Sequence, residues 1–192
     1  MTTSLCVFCG SRHGSRPVYA ETARALGREI AARNWRLVYG GGNVGLMGVI
    51  ADAVLEAGGQ VIGVIPDGLM ERELGHGGCT ELRVVRSMHE RKALMAAESS
   101  MFLAIPGGLG TLEELAEIWT WQQLALHNKP IGLLNVENFY DPLLQFLDNT
   151  VTEQFLSPAN RRKLIVGSAI PELLDRLDGA RVVDQPIPLE KT

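Results

Sequence analysis

Long apolar runs are missing from this chain of 192 residues, and none approaches the roughly 20 residues of a membrane span. Basic charge has no surplus either. Eighteen Lys and Arg stand against 22 Asp and Glu, a formal charge of −4, which argues against a nucleic-acid protein held by a basic surface. Met1-Thr2-Thr3-Ser4 lacks a basic region and a cleavage pattern, so no signal peptide is expected. Cysteine is scarce and odd in number: Cys6, Cys9 and Cys79. That usage suits a reducing compartment and a cytoplasmic protein. Cys6-Val-Phe-Cys9 has redox spacing, but it falls in the first expected strand, where residues three apart point to opposite faces. His13, His76, His89 and His127 show no metal-ligand spacing, and no metal is expected.

What is present is the alternation of an α/β domain. Apolar strand-like runs fall at Leu5–Cys9, Leu37–Tyr39, Val61–Ile65, Leu82–Val85, Phe102–Ile105, Ile131–Leu134 and Leu164–Val166. Helical patterns lie between and after them, at about 17–33, 45–57, 88–98, 111–126, 141–155 and 171–178. Continuously apolar strands separated by helices predict a Rossmann-like doubly wound parallel sheet with helices on both faces. No repeat or linker divides the chain, so 1–192 reads as one domain, with an extended or frayed tail over 184–192.

In such a sheet, ligands bind beyond the carboxyl ends of the strands, where strand order reverses. Three of those ends carry glycine: Cys9-Gly10-Ser11, Gly40–Gly45 and Pro106–Thr111. Gly41 and Gly42 would let backbone approach a phosphate or sugar. Gly40-x-Gly42-x-x-Gly45 also matches a dinucleotide fingerprint, with Asp67 at about the expected distance. That fingerprint normally uses the first strand, however, and Asp67 follows Pro66 past a strand end.

Ile105-Pro106-Gly107-Gly108-Leu109-Gly110-Thr111-Leu112-Glu113-Glu114 is the most informative segment. Glycines at a strand-to-helix junction leave backbone amides bare at the positive end of a helix dipole, which favours an anion such as phosphate. Thr111-x-x-Glu114 is equally a capping box, which closes a helix with no ligand. Glu114 shares a stripe with Ile118 and Trp121, so a carboxylate lies against apolar surface; Glu113 and Glu117 read as a solvated pair. Trp119 and Trp121 are 200° apart, so they cannot share a face.

In Met88-His89-Glu90-Arg91-Lys92-Ala93-Leu94-Met95, Met88, Arg91, Leu94 and Met95 share a stripe. A guanidinium on an apolar face needs an anionic partner, either in the protein or in a ligand, unless it snorkels to water. Glu114 is its natural counterpart. Met88 and Met95 could line an adaptable apolar slot, or fill the core.

These segments resemble the LOG ("lonely guy") family, the cytokinin riboside 5′-monophosphate phosphoribohydrolases. Pro106, Gly107, Gly108, Gly110, Thr111 and Glu114 match PGGxGTxxE; Met88, His89, Arg91 and Lys92 match MHxRK; Tyr39–Gly48 match YGGGxxGLMG. The resemblance spans about residues 4–180. It implies hydrolysis of the N-glycosidic bond of an N6-modified adenosine monophosphate, giving free base and ribose 5-phosphate, with no cofactor. It also implies Arg91 and Glu114 as the catalytic pair. Contacts to the substrate would come from Glu73, Met88, Arg91, Lys92, Gly107, Gly108, Leu109, Gly110, Thr111, Leu112, Glu113, Glu114 and Thr120. Gly10, Ser11, Gly41 and Gly42 would add loop contacts to phosphate or sugar. The implied partner is a nucleoside monophosphate, with neither nucleic acid nor membrane, and the assembly a homodimer or larger. Two residues depart from the pattern: Ser87 stands where Asp is common before MHxRK, and Leu109 where Tyr is common. The rival readings are an AMP nucleosidase indifferent to N6 substituents and a non-catalytic nucleotide carrier or sensor. The "lysine decarboxylase" label that such sequences carry does not fit, since nothing resembles a pyridoxal-phosphate Schiff-base site.

Overall fold

The strand runs pair into a parallel sheet of seven strands in the computed structural model, which describes residues 2–70 and 75–181. The strands are β1 (Ser4–Phe8), β2 (Arg36–Tyr39), β3 (Gln60–Pro66), β4 (Glu81–Val85), β5 (Met101–Ala104), β6 (Ile131–Leu134) and β7 (Leu164–Gly167). The helices are α1 (Pro17–Ala32), α2 (Gly45–Glu56), α3 (Met88–Glu98), α4 (Leu109–Gln123), α5 (Asp141–Thr152), α6 (Pro158–Arg161) and α7 (Ile170–Gly179). None of the described helices is long and apolar enough to cross a membrane. The tail 184–192 lies outside the described residues.

Spatial order is β4-β3-β2-β1-β5-β6-β7. The chain therefore winds outward in one direction from β1 to β4, then returns to start again at β5 beside β1. Cys6 pairs with Phe102 and Phe8 with Ala104 across that junction. This β1–β5 boundary is where strand order reverses, and crossovers leaving it on either side open a crevice at the carboxyl edge.

Two cores cover the sheet. Leu26 and Ile30 of α1, Ile50 and Val54 of α2, and Leu173 and Leu177 of α7 pack on one face. Met95 of α3 and Leu115, Ile118 and Trp119 of α4 pack on the other, with Leu143, Leu144 and Leu147 of α5 partly buried against them. Cys6 belongs to the second core and Cys9 to the first, as strand geometry demands, and both are free thiols. Burial pushes both well above the ordinary thiol value, with the Glu114 carboxylate a second cause, which disfavours the thiolate at both.

The expected elements form close to their expected ends. Short helical pieces at Pro158–Arg161, Asp67–Leu69 and Val136–Asn138 are additional. α3 begins with a local lock: the Ser87 hydroxyl accepts from the Glu90 amide, and the Glu90 carboxylate accepts from the Arg86 amide. Ser87 thus caps the helix as an Asp would, so this departure from the family pattern costs α3 nothing at its start.

Candidate active site

Three glycine-bearing loops interlock at the carboxyl edge. The Gly10 amide donates to the Pro106 carbonyl at 3.1 Å, and the Gly10 carbonyl accepts from Leu46 at 3.0 Å. A β-carbon on Gly10 would stand 3.3 Å from the α-carbon of Gly107. One on Gly45, which has φ +57°, would fall 2.6 Å from the α-carbon of Arg12. These glycines are required by backbone meeting backbone. The close approach that Gly41 permits, at φ +76°, is likewise to the protein itself: its β-carbon would meet Ile65 and the Val64 amide at 3.1 Å. The Gly41 carbonyl accepts from the His76 amide, and Gly42 bridges Gly75. Ser11 is exposed on the β1–α1 loop.

The helix after β5 starts two residues earlier than expected. Gly108 is the N-cap of α4, no side chain caps it, and the first turn holds Leu109, Gly110 and Thr111. Thr111 is 3% exposed and sits inside the helix, so the capping-box reading fails. A β-carbon on Gly107 would overlap the Thr111 hydroxyl and come within 2.8 Å of the Gly10 amide nitrogen. The leading amides of α4 have no intrahelical acceptor, because that is the geometry of any helix start. Gly108, Leu109 and Gly110 are exposed, Leu109 to 84%. The result is an open, side-chain-poor helix head carrying roughly half a positive charge.

Glu114 lies one turn further on. It lines a small pocket with Phe8, Phe102, Ala96, Ile118, Trp121, Lys92 and Glu117. The stripe Glu114–Ile118–Trp121 therefore faces one place. Trp119 goes to the core, where its indole N–H donates to the Asn160 carbonyl at 3.3 Å. Phe8 and Phe102 stack with their ring centroids 6.1 Å apart and form the floor contributed by β1 and β5.

Lys92 corrects the expectation for Glu113 and Glu117. These two are not a solvated pair: they clamp the Lys92 ammonium at 2.5 and 3.0 Å, joining α3 to α4. Burial alone would lower the lysine's pKa, but the two carboxylates more than offset it and leave it raised. Lys92 stays charged, and its charge is largely matched by α4.

Arg91 is 5% exposed. Its Nε donates to the Val64 carbonyl at 3.1 Å and its Nη2 to the Gly40 carbonyl at 2.8 Å, while Nη1 lies 3.7 Å from the Met88 sulfur. Backbone oxygens just past β2 and within β3 thus help to hold a guanidinium on an otherwise apolar stripe. The methionines split: Met95 is core at 2% exposed, and Met88 is 42% exposed beside Arg91. Thr120 is exposed on another face of α4, with its hydroxyl bonded to the Ala116 carbonyl. Glu73 lies outside the described residues. Gly40 was read only as part of a glycine loop, and Phe8 and Phe102 only as strand residues; their roles here arise from partners far along the chain.

Comparison with known proteins agrees with this architecture. A family model described as "Possible lysine decarboxylase" matches residues 47–177. A probable cytokinin riboside 5′-monophosphate phosphoribohydrolase of Oryza sativa subsp. japonica is 50% identical over 174 residues, covering 91% of this chain and 71% of its own. A cytokinin riboside 5′-monophosphate phosphoribohydrolase of Arabidopsis thaliana is also 50% identical, covering 91% of this chain and 82% of its own. Among solved structures, the molybdenum cofactor binding protein of Rippkaea orientalis superposes with a TM-score of 0.70 at 23% identity, covering 93% of this chain and 97% of that one. The last likeness is one of fold alone. With a family model over more than half its length, and relatives half identical across nearly all of it, the chain belongs to the LOG family.

Proposed function

We propose that this protein hydrolyses the N-glycosidic bond of N6-modified adenosine 5′-monophosphates, the cytokinin riboside monophosphates, to free base and ribose 5-phosphate. One observation carries the reading: Glu114 stands on the wall of a largely apolar pocket, one turn inside a side-chain-poor helix head, at the point where the sheet reverses order. An anion site and a carboxylate are thereby set a short distance apart. The relatives named for this activity support it.

The amides of Gly108 to Thr111 take the 5′-phosphate, and that remote binding energy fixes the ribose. The C1′–N9 bond breaks with its electron pair leaving on the base, and C1′ gains oxocarbenium character. Glu114 stabilises that cation and orients the water whose oxygen joins C1′; the water's proton ends on the departing base. Arg91, held rigidly and permanently charged, offsets the electron density gathering on the base. We assign no step to the thiols.

Incubation with isopentenyladenosine monophosphate and with AMP, followed by chromatography for free base, tests this directly. Faster base release from the prenylated nucleotide is expected. Equal release would identify an AMP nucleosidase, and none from either would make the protein a carrier. The protein is further proposed to act in the cytoplasm as a homodimer or larger assembly, with neither nucleic acid nor membrane as partner; light scattering checks the assembly.

A further inference from the structure

We propose that Gly40 is a positioning residue for Arg91, and that its lack of a side chain is what lets the guanidinium reach its seat. A β-carbon at residue 40 would lie 2.9 Å from the Arg91 Cζ and closer still to Nη2. The third-nearest atom, at 3.4 Å, is the Arg91 Nε, so the clash is with Arg91 alone among the described residues. Gly40 is not in the left-handed region, so its backbone tolerates alanine. Its neighbour Gly41 differs, with φ +76° and β3 backbone against it. The first glycine of the run therefore answers to a side chain 51 residues away, and the second to the fold.

Two of the seat's acceptors are main-chain oxygens. The Gly40 carbonyl ends β2, the Val64 carbonyl lies in β3, and the neighbouring strands hold them in register, Tyr39 opposite Gly63. Two carbonyls that accept from different nitrogens of one planar group fix its tilt as well as its place. An added methyl displaces the far end of a flexible side chain, so the fold survives while the charge moves. A shift of about 1 Å in a reacting constellation can cost ~100-fold in rate.

The proposal rests on the role given to Arg91 above, and a double-mutant cycle keeps the two separable. Gly40→Ala, Arg91→Ala and the double variant are assayed for kcat and KM on isopentenyladenosine monophosphate and melted thermally. Gly40→Ala is expected to lose at least 30-fold in kcat/KM, divided between kcat and KM as Arg91→Ala divides it. The double variant should be no worse than Arg91→Ala by more than about twofold. The Tm loss from Gly40→Ala should vanish in the Arg91→Ala background, where the atoms nearest the methyl are gone. Should Gly40→Ala fail to fold, the double variant folds under this proposal. Near-normal turnover in Gly40→Ala, or Tm losses that simply add, overturns it. Near-normal turnover in Arg91→Ala instead removes the catalytic role of Arg91, and the thermal cycle alone then decides whether Gly40 shapes the seat.

Discussion

The Gly10 amide donates to the Pro106 carbonyl across 3.1 Å, tying the loop after β1 to the loop after β5. This bond spans the boundary at which the sheet's order reverses. It fixes the approach of Pro106–Gly107 and hence where α4 begins. The anion site and Glu114 ride on the same helix, so their separation is set by helix geometry, about 1.5 Å of rise per residue.

Replacing Glu114 by glutamine is expected to abolish base release while substrate affinity stays within about tenfold, or ~1.4 kcal/mol. Because Gly108 caps α4, loss of helix capping cannot account for such a result. Near-normal turnover in Glu114→Gln would falsify the catalytic assignment; single-turnover kinetics together with a binding titration give both numbers.

Nucleoside 5′-monophosphates should react far better than nucleosides, since the α4 amides gain only when an anion fills the head of the helix. Di- and triphosphates should be poorer for lack of room. Gly110→Ala separates fold from function here. Nothing described lies within 4 Å of its added methyl, so stability should hold or rise by about 0.5–1 kcal/mol, while KM for the nucleotide increases. An unchanged KM, or equal rates on adenosine and AMP, removes the phosphate cradle.

His127 gives the fold a dependence on pH. It is 4% exposed; Nε2 faces the Ile118 carbonyl at 2.9 Å and Nδ1 accepts from the Lys129 amide at 3.1 Å. Both partners suit the neutral ring, and a second proton would meet an N–H. Burial, with Lys129 and Lys163 nearby, pulls its pKa from 6.5 to about 4 despite the opposing bond to Ile118. The folded value is depressed, so the contribution is complete above about pH 6.5 and is lost as pH falls through about 4. It amounts to about 3 kcal/mol at most. Urea unfolding at pH 7.5 and 4.5 should show a smaller acid loss for His127→Gln, whose amide can donate and accept without titrating. Equal losses in the two proteins would dismiss the histidine.

Trp121, Phe8 and Phe102 line the same pocket as Glu114 and supply its aromatic surface. Trp121→Ala is expected to lower kcat/KM for isopentenyladenosine monophosphate by about 5- to 150-fold, the ~1–3 kcal/mol of a five-carbon tail, and that for AMP much less. Parallel losses on the two substrates would place the tail elsewhere.

The elements were legible because their signals are local. Continuous apolar runs such as Met101–Ala104 consist of the very residues whose structure they specify. The start of α4 was less so: Thr111-x-x-Glu114 has capping-box spacing, yet the helix is capped at Gly108, one residue after Gly107 packs against the backbone of Gly10. Glu113 and Glu117 looked solvated because their partner, Lys92, lies 21 and 25 residues away on another helix. Met88 and Met95 shared a helical stripe, but the depth to which each is buried depends on how α3 sits on the sheet. Periodicity does not encode that.

The Arg91 seat has an evolutionary consequence. Two of its acceptors are peptide oxygens, and peptide oxygens are present whatever residues stand at 40 and 64. Selection therefore cannot strengthen or weaken these bonds by exchanging one acceptor for another, as it can with a carboxylate. It can only keep the path to them open or block it. Adaptation to new substrates should accordingly arise at side-chain positions such as Leu109 and Trp121, while Gly40 and Arg91 change together or not at all.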